Sequence, residues 1–173
     1  VLAAKGKYIA RLDDDDCWID NKKIEKQVNF LEENKDYVLV GGGVVKVGGS
    51  GEEFIRYLLP EGDEQIRKII LINNAFAHSS VVFLKDKFLQ VKGYSEEFGF
   101  FADKELWIKL GKTGKFYNFP GYFISYLDKE LDNKKYNARD VQIRRKLFLN
   151  LKLRFKYRRD YPGFWKSSIL SFF

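Results

Sequence analysis

The sequence predicts an α/β fold, and three observations carry that prediction. Short runs of β-forming residues alternate with helical patterns along the chain, no internal repeat interrupts the alternation, and the composition suits one core. Of the 173 residues, 45% are hydrophobic and 17% aromatic, with only three prolines. That is ample for one globular domain and too little for two ordinary ones.

Tyr8 to Leu12 is a short strand rich in β-formers. Asp20 is placed to cap a helix through Asn34, with Ile24, Val28 and Leu31 on one face. Tyr37 to Val47 reads as a Val- and Gly-rich strand, followed by a turn at Gly48 to Gly51. Glu61 to Ile72 predicts a helix, with acids in its first turn and Arg67 and Lys68 later, as the helix dipole favours. Ser79 to Leu84 reads as a buried strand, Gly93-Tyr94 as a turn, and Asp103 to Gly111 as a short helix ended by glycine. Phe116 to Phe119 and Tyr122 to Tyr126 predict two aromatic strands flanking Pro120-Gly121. In the last forty residues, Leu147, Leu149, Leu151, Leu153, Phe155 and Tyr157 alternate as in a strand. Leu147, Phe148, Leu151 and Phe155 also line one helical face, and the Leu, Lys and Arg content favours helix.

The chain contains no Met, and Val1-Leu2-Ala3-Ala4 runs straight into the first strand, so it reads as a fragment whose N-terminal part is missing. Cys17 is the only cysteine, which excludes an intrachain disulfide and points to a reducing compartment: the cytoplasm, or the inner face of the plasma membrane. No run reaches the roughly 18 apolar residues of a membrane span. The net charge of +7 is unevenly placed: residues 133–173 carry +10 and residues 1–132 carry −3. The expectation is therefore a mildly acidic main part, 1–132, and a basic amphipathic tail, 133–173.

The acidic run Asp13-Asp14-Asp15-Asp16 directly follows the first strand. In an open α/β sheet that is the carboxyl end, where ligands bind. Cys17-Trp18 behind it implies a packed turn rather than a loose acidic tail. The spacing Asp-x-Asp lets two oxygens point the same way from extended backbone, which suits a hard divalent cation whose other ligands are water and phosphate. The alternative is a solvated loop with a helix cap. An EF-hand is excluded, because its glycine and distal glutamate are absent.

Ala4-x-Gly6-Lys7-Tyr8-Ile9-Ala10-x-Leu12-Asp13-Asp14-Asp15-Asp16-x-Trp18, followed by Lys23-Ile24-Glu25-Lys26-Gln27, resembles the centre of family 2 glycosyltransferases of the GT-A fold. The resemblance continues through Asn74 to Phe83 with His78-Ser79-Ser80-Val81, then Gly93-Tyr94-x-Glu96-x-Phe98, then Ala102-Asp103-x-x-Leu106-Trp107, and covers about residues 1 to 127. It implies a Rossmann-like mixed sheet with flanking helices, truncated at its N-terminus, a nucleotide-sugar donor, and a saccharide or lipid-linked acceptor. It further implies that Asp13 and Asp15 bind the donor diphosphate and Mg²⁺ or Mn²⁺, Asp15 directly, with Asp14 and Asp16 supporting. Asp103 matches the general base of inverting members, although Ala102 stands where the family usually has an acid. His78, Ser79 and Trp107 fall on the acceptor side. Apart from the resemblance, Asp103 reads as a helix N-cap, His78 as a packed or solvent-facing side chain, and Trp107 as core.

Two other readings compete. One is an inactive fragment or accessory module, since in such enzymes much of the nucleoside pocket precedes the Asp-x-Asp strand. The other is an electrostatic binder using the basic tail. Lys and Arg interleaved with Tyr157, Tyr161 and Phe164 resemble a nucleic-acid surface. Phe164-Trp165-Lys166 and Ile169 to Phe173 fit an anchor on an anionic membrane surface better.

Overall fold

The Val- and Gly-rich run is the strand around which the sheet assembles. The computed structural model describes residues 1–49, 51–127 and 139–162. In it, β1 (Tyr8–Ala10) and β2 (Asp16–Trp18) bracket the acidic run, α1 (Lys23–Glu33) follows, and β3 (Tyr37–Val47) is as expected. Then come β4 (Glu53–Tyr57), α2 (Asp63–Ile69), a 3₁₀ turn at His78–Ser80, β5 (Val82–Leu84) and α3 (Lys85–Gln90). A 3₁₀ segment, Glu96–Phe101, leads into α4 (Ala102–Leu110), and β6 (Lys115–Leu127) and α5 (Arg139–Lys156) complete the chain.

The sheet runs β1-β5-β3-β6-β2, with β4 on the second half of β3. Among the described residues only β3 and β6 pair in parallel. Successive residues of paired strands face opposite sides. Leu39 and Phe83 therefore join the main core with Ile66, Phe76, Trp107 and Phe116, while Val40 and Val82 pack with Leu31 of α1 on the other face. This is the mixed α/β sheet with flanking helices that the sequence predicts.

Several local expectations change. Phe116–Phe119 and Tyr122–Tyr126 are one strand, β6, whose register against β3 jumps at Pro120-Gly121: Gly42 faces Phe119 and Gly43 faces Tyr122. A bulge accommodates a proline that has no N–H to give to the ladder. Ser79 to Leu84 is a strand only from Val82, because Ser80 folds back on the Ala77 carbonyl through both its N–H and its hydroxyl. The buried stripe of α1 is Lys23, Gln27 and Leu31, with Ile24 and Val28 only half-buried beside it. Gln27 Nε2 donates to the carbonyls of Val40 and Ser80 and its Oε1 accepts from Lys23, so polar side chains lock the helix to the sheet. Asp20 does not cap α1, whose N-cap is Lys22; it accepts from the Lys22 N–H and pairs with Lys26. The short elements β2, β4 and α3 carry no long periodic signature and were not expected.

The ambiguous C-terminal run is a helix, α5. Its Leu153, with Tyr157 and Tyr161 just beyond it, enters the main core. Those two tyrosines therefore present no ring to a nucleic-acid base. Phe164 and the apolar segment 164–173 lie outside the described residues.

Candidate active site

The acidic run is held in place by the 3₁₀ turn at His78–Ser80. The Asp13 N–H donates to Ser79 Oγ at 3.0 Å, the Ser79 hydroxyl donates to Asp16 Oδ2, and Trp18 Nε1 donates to the Ser79 carbonyl at 2.9 Å. Ser79 is thus buried and spends its hydroxyl on the acidic loop, so it is a positioning residue rather than an acceptor contact. Asp13 is engaged at both oxygens: Arg11 Nη2 donates to Oδ1 at 2.6 Å, and His78 Nδ1 lies 3.0 Å from Oδ2. The other ring nitrogen of His78 is 2.9 Å from the Tyr94 hydroxyl. Burial pushes that phenol up to about 12, so it stays protonated.

Asp103 lies one residue inside α4. The N-cap is Phe101, so Asp103 is not the cap; it sits in the first helical turn, where its charge complements the helix dipole. Oδ1 accepts from the Lys104 N–H at 2.6 Å and Oδ2 from Asn74 Nδ2 at 2.5 Å. The neighbouring Lys104 is buried, and its ammonium donates to the carbonyls of Leu71 and Ile72 and to Asn150 of α5. Arg154 of α5 grips the same two carbonyls. Burial, with Arg154 adding, pulls Lys104 down to about 7. The segment leading to Asn74 is in this way clamped from α4 and α5 together. Trp107, by contrast, is fully buried beneath His78 and against Phe76 and Phe83, which makes it core and not an acceptor surface.

These pieces meet in one cleft. A cavity of about 870 Å³ is lined by Arg11, Asp13, Asn74, His78, Tyr94, Phe100, Ala102 and Asp103. An adjoining recess of about 390 Å³ shares Asp13, Asn74, His78, Asp103 and Tyr126 with it and adds Asp16, Lys46 and Tyr57. The carboxylates brought together are Asp13, Asp16 and Asp103. Asp14 and Asp15 are exposed on the turn between Asp13 and β2 and line neither space. Arg11, Asn74, Tyr94 and Tyr126 were not singled out from sequence. Asn74 and Tyr94 stand in the runs that carry the family resemblance, which was the available signal; Arg11 and Tyr126 gave none.

The oxygens fit a hard cation. Asp16 Oδ1 is buried in the recess with no hydrogen-bond donor, and burial followed by the charges of Asp15 and Asp13 raises its carboxyl above the usual range. Among the described residues no three His, Cys, Asp or Glu side chains converge to hold a metal. A cation there would complete its shell with phosphate and water oxygens.

The profile of glycosyl transferase family 2 matches residues 1–91, more than half of the chain. The chain belongs to glycosyltransferase family 2. Among relatives of this family, it is 34% identical over 110 residues to the O-antigen biosynthesis glycosyltransferase WbnJ of Escherichia coli, covering 64% of this chain and 42% of WbnJ. It is 30% identical over 106 residues to the amylovoran biosynthesis glycosyltransferase AmsE of Erwinia amylovora, covering 61% and 39%. The chain thus spans about two fifths of the length of these curated relatives. The crystal structure of S. aureus TarS 1-349 shares the fold at a TM-score of 0.52 and 14% identity, over 94% of this chain and 51% of that one. The family match ends before α4, so Asp103 lies outside it.

Proposed function

We propose that this family 2 glycosyltransferase moves a sugar from a nucleotide-diphospho-sugar to the hydroxyl of a saccharide or lipid-linked acceptor, with inversion, in the synthesis of a cell-surface polysaccharide or glycoconjugate. The observation that carries this reading is that Asp13, just after β1, Asp16, which opens β2, and Asp103, at the start of α4, line one cleft. The biosynthetic names of WbnJ and AmsE support the polymer class.

In this reading the two acid groups take opposite sides of the anomeric carbon. Asp103 accepts the proton of the attacking hydroxyl. Its two hydrogen bonds fix its orientation and leave lone pairs on both oxygens for that proton. The diphosphate departs on the side of Asp13 and Asp16, where Arg11 also lines the cleft. Asp13 and Asp16, with phosphate and water oxygens completing the shell and Asp15 adding charge from the turn between them, would hold Mg²⁺ or Mn²⁺, which when bound supplies positive charge against the leaving diphosphate. His78, itself against the Tyr94 hydroxyl, keeps Asp13 in place.

The test is release of nucleoside diphosphate by the full-length protein from a panel of nucleotide sugars, with and without Mn²⁺. Chelation is expected to stop turnover and Mn²⁺ to restore it. Asp103→Asn is expected to lower kcat by about 10²–10⁴-fold while donor binding persists. Metal-independent turnover that is equal in Asp15→Ala and Asp16→Asn refutes the metal role. Undiminished turnover in Asp103→Asn refutes the base.

A further inference from the structure

The helix α5 has two apolar faces. One, through Leu153, enters the core. On the opposite side Leu147, Phe148, Leu151 and Phe155 are exposed, at 49%, 65%, 42% and 59%. At about 100° per residue these four fall within a stripe about 100° wide that faces away from Leu153, and along the axis it is about 12 Å long. Exposed cations border it: Arg144 and Arg145 on the helix and Arg159 in the turn that follows, while Lys152 pairs with Glu97 at 3.2 Å. Aromatic and aliphatic side chains exposed on one helix normally mark a surface that something covers.

We propose that this stripe lies on an anionic lipid surface, with Phe148, Leu151 and Phe155 in the interface and the bordering cations against lipid phosphates. Charge complementarity selects this occupant. A second copy would bring the same cations against themselves, since residues 133–173 carry twelve Lys and Arg against two Asp. A nucleic acid would answer the charge, but it needs rings free to stack, and Tyr157 and Tyr161 are buried. The stripe is convex and unbroken, as an interfacial helix requires. The helix cannot cross the bilayer: none among the described residues is long and apolar enough. The last ten residues, Phe164 to Phe173, add four aromatics and one lysine in sequence.

Co-sedimentation with vesicles of phosphatidylcholine alone, and of phosphatidylcholine with 25% phosphatidylglycerol, tests the idea on the full-length protein. Thermal melting of each variant reports folding, and sedimentation velocity reports oligomeric state. Wild type is expected to bind the anionic vesicles and to lose affinity with added salt. F148S/F155S, at exposed positions, is expected to keep its melting temperature and to bind at least about tenfold more weakly. Arg144→Gln with Arg145→Gln and Arg159→Gln is expected to weaken binding about a hundredfold. Failure of wild type to bind anionic vesicles overturns the proposal, as does equal binding by F148S/F155S. A wild-type dimer that the double serine variant converts to monomer assigns the stripe to a second copy and overturns it too, and retention on single-stranded RNA without vesicle binding does the same. None of these readouts depends on turnover, so glycosyl transfer stands or falls separately.

Discussion

Asp16 holds a charge where the fold resists one. Its carboxyl is raised by burial and by Asp15 and Asp13, so at neutral pH ionising it costs stability. The sign follows: the contribution is favourable below the ordinary carboxylate range and is lost as pH rises through the elevated value. Asp16→Asn is therefore expected to raise the melting temperature by about 2–4 °C at pH 7 while weakening Mn²⁺ binding in calorimetry. A lower melting temperature would show that the Ser79 hydrogen bond outweighs the buried charge. Asn74 bears on Asp103 by geometry: its amide donates to Oδ2 and fixes the orientation of the carboxylate. Asn74→Ala is expected to cut kcat about tenfold with the donor KM little changed, and Asn74→Asp is expected not to rescue it. An unchanged kcat would make Asn74 structural only.

The helix α5 shows how a single element can mislead a reading of periodicity. Its alternating leucines resemble a strand because apolar residues serve two opposite helical faces, so neither period is clean. Leu153→Ala is expected to lower unfolding free energy by about 2–5 kcal/mol in urea titration, because Leu153 is wholly buried. Phe148→Ala, on the other face, is expected to change it by less than about 0.5 kcal/mol. Equal effects would mean that the exposed face is also packed. Elements long enough to carry a continuous apolar pattern were legible in sequence: β3 and α4 stand within a residue or so of expectation. The three-residue strands and the 3₁₀ turn were not, because they are set by tertiary hydrogen bonds. Of the site, Asp13 and Asp103 were legible through spacing and resemblance. That Asp16, and not Asp15, lines the recess depends on Ser79, which sits 63 residues away from it in sequence.

On the scale of the whole molecule, two buried lysines make stability depend on pH. Burial lowers Lys23 to about 7, and Lys104 likewise. Between those values and 10.5 the unfolded chain binds protons that the folded chain does not, so stability rises with pH across the window and levels off below about 7. Between pH 7.5 and 9.5 the slope is expected to reach up to about 1.4 kcal/mol per pH unit for each lysine. Lys23→Met removes one share, measurable by urea titration at several pH values; an unchanged slope would show Lys23 charged in the fold.

The strand β6 has a consequence for how the chain is made. It is bonded to β3 on one edge and to β2 on the other, yet among the described residues it is the last strand in sequence. At about 5–20 residues per second, the ribosome leaves some 4–16 s between the end of β3 and the end of β6. Through that interval the Val-rich edge of β3 has no permanent neighbour and is open to pairing with other nascent chains. Chaperone occupancy on translating ribosomes is therefore expected to begin after Val47 and to fall only once Leu127 has emerged.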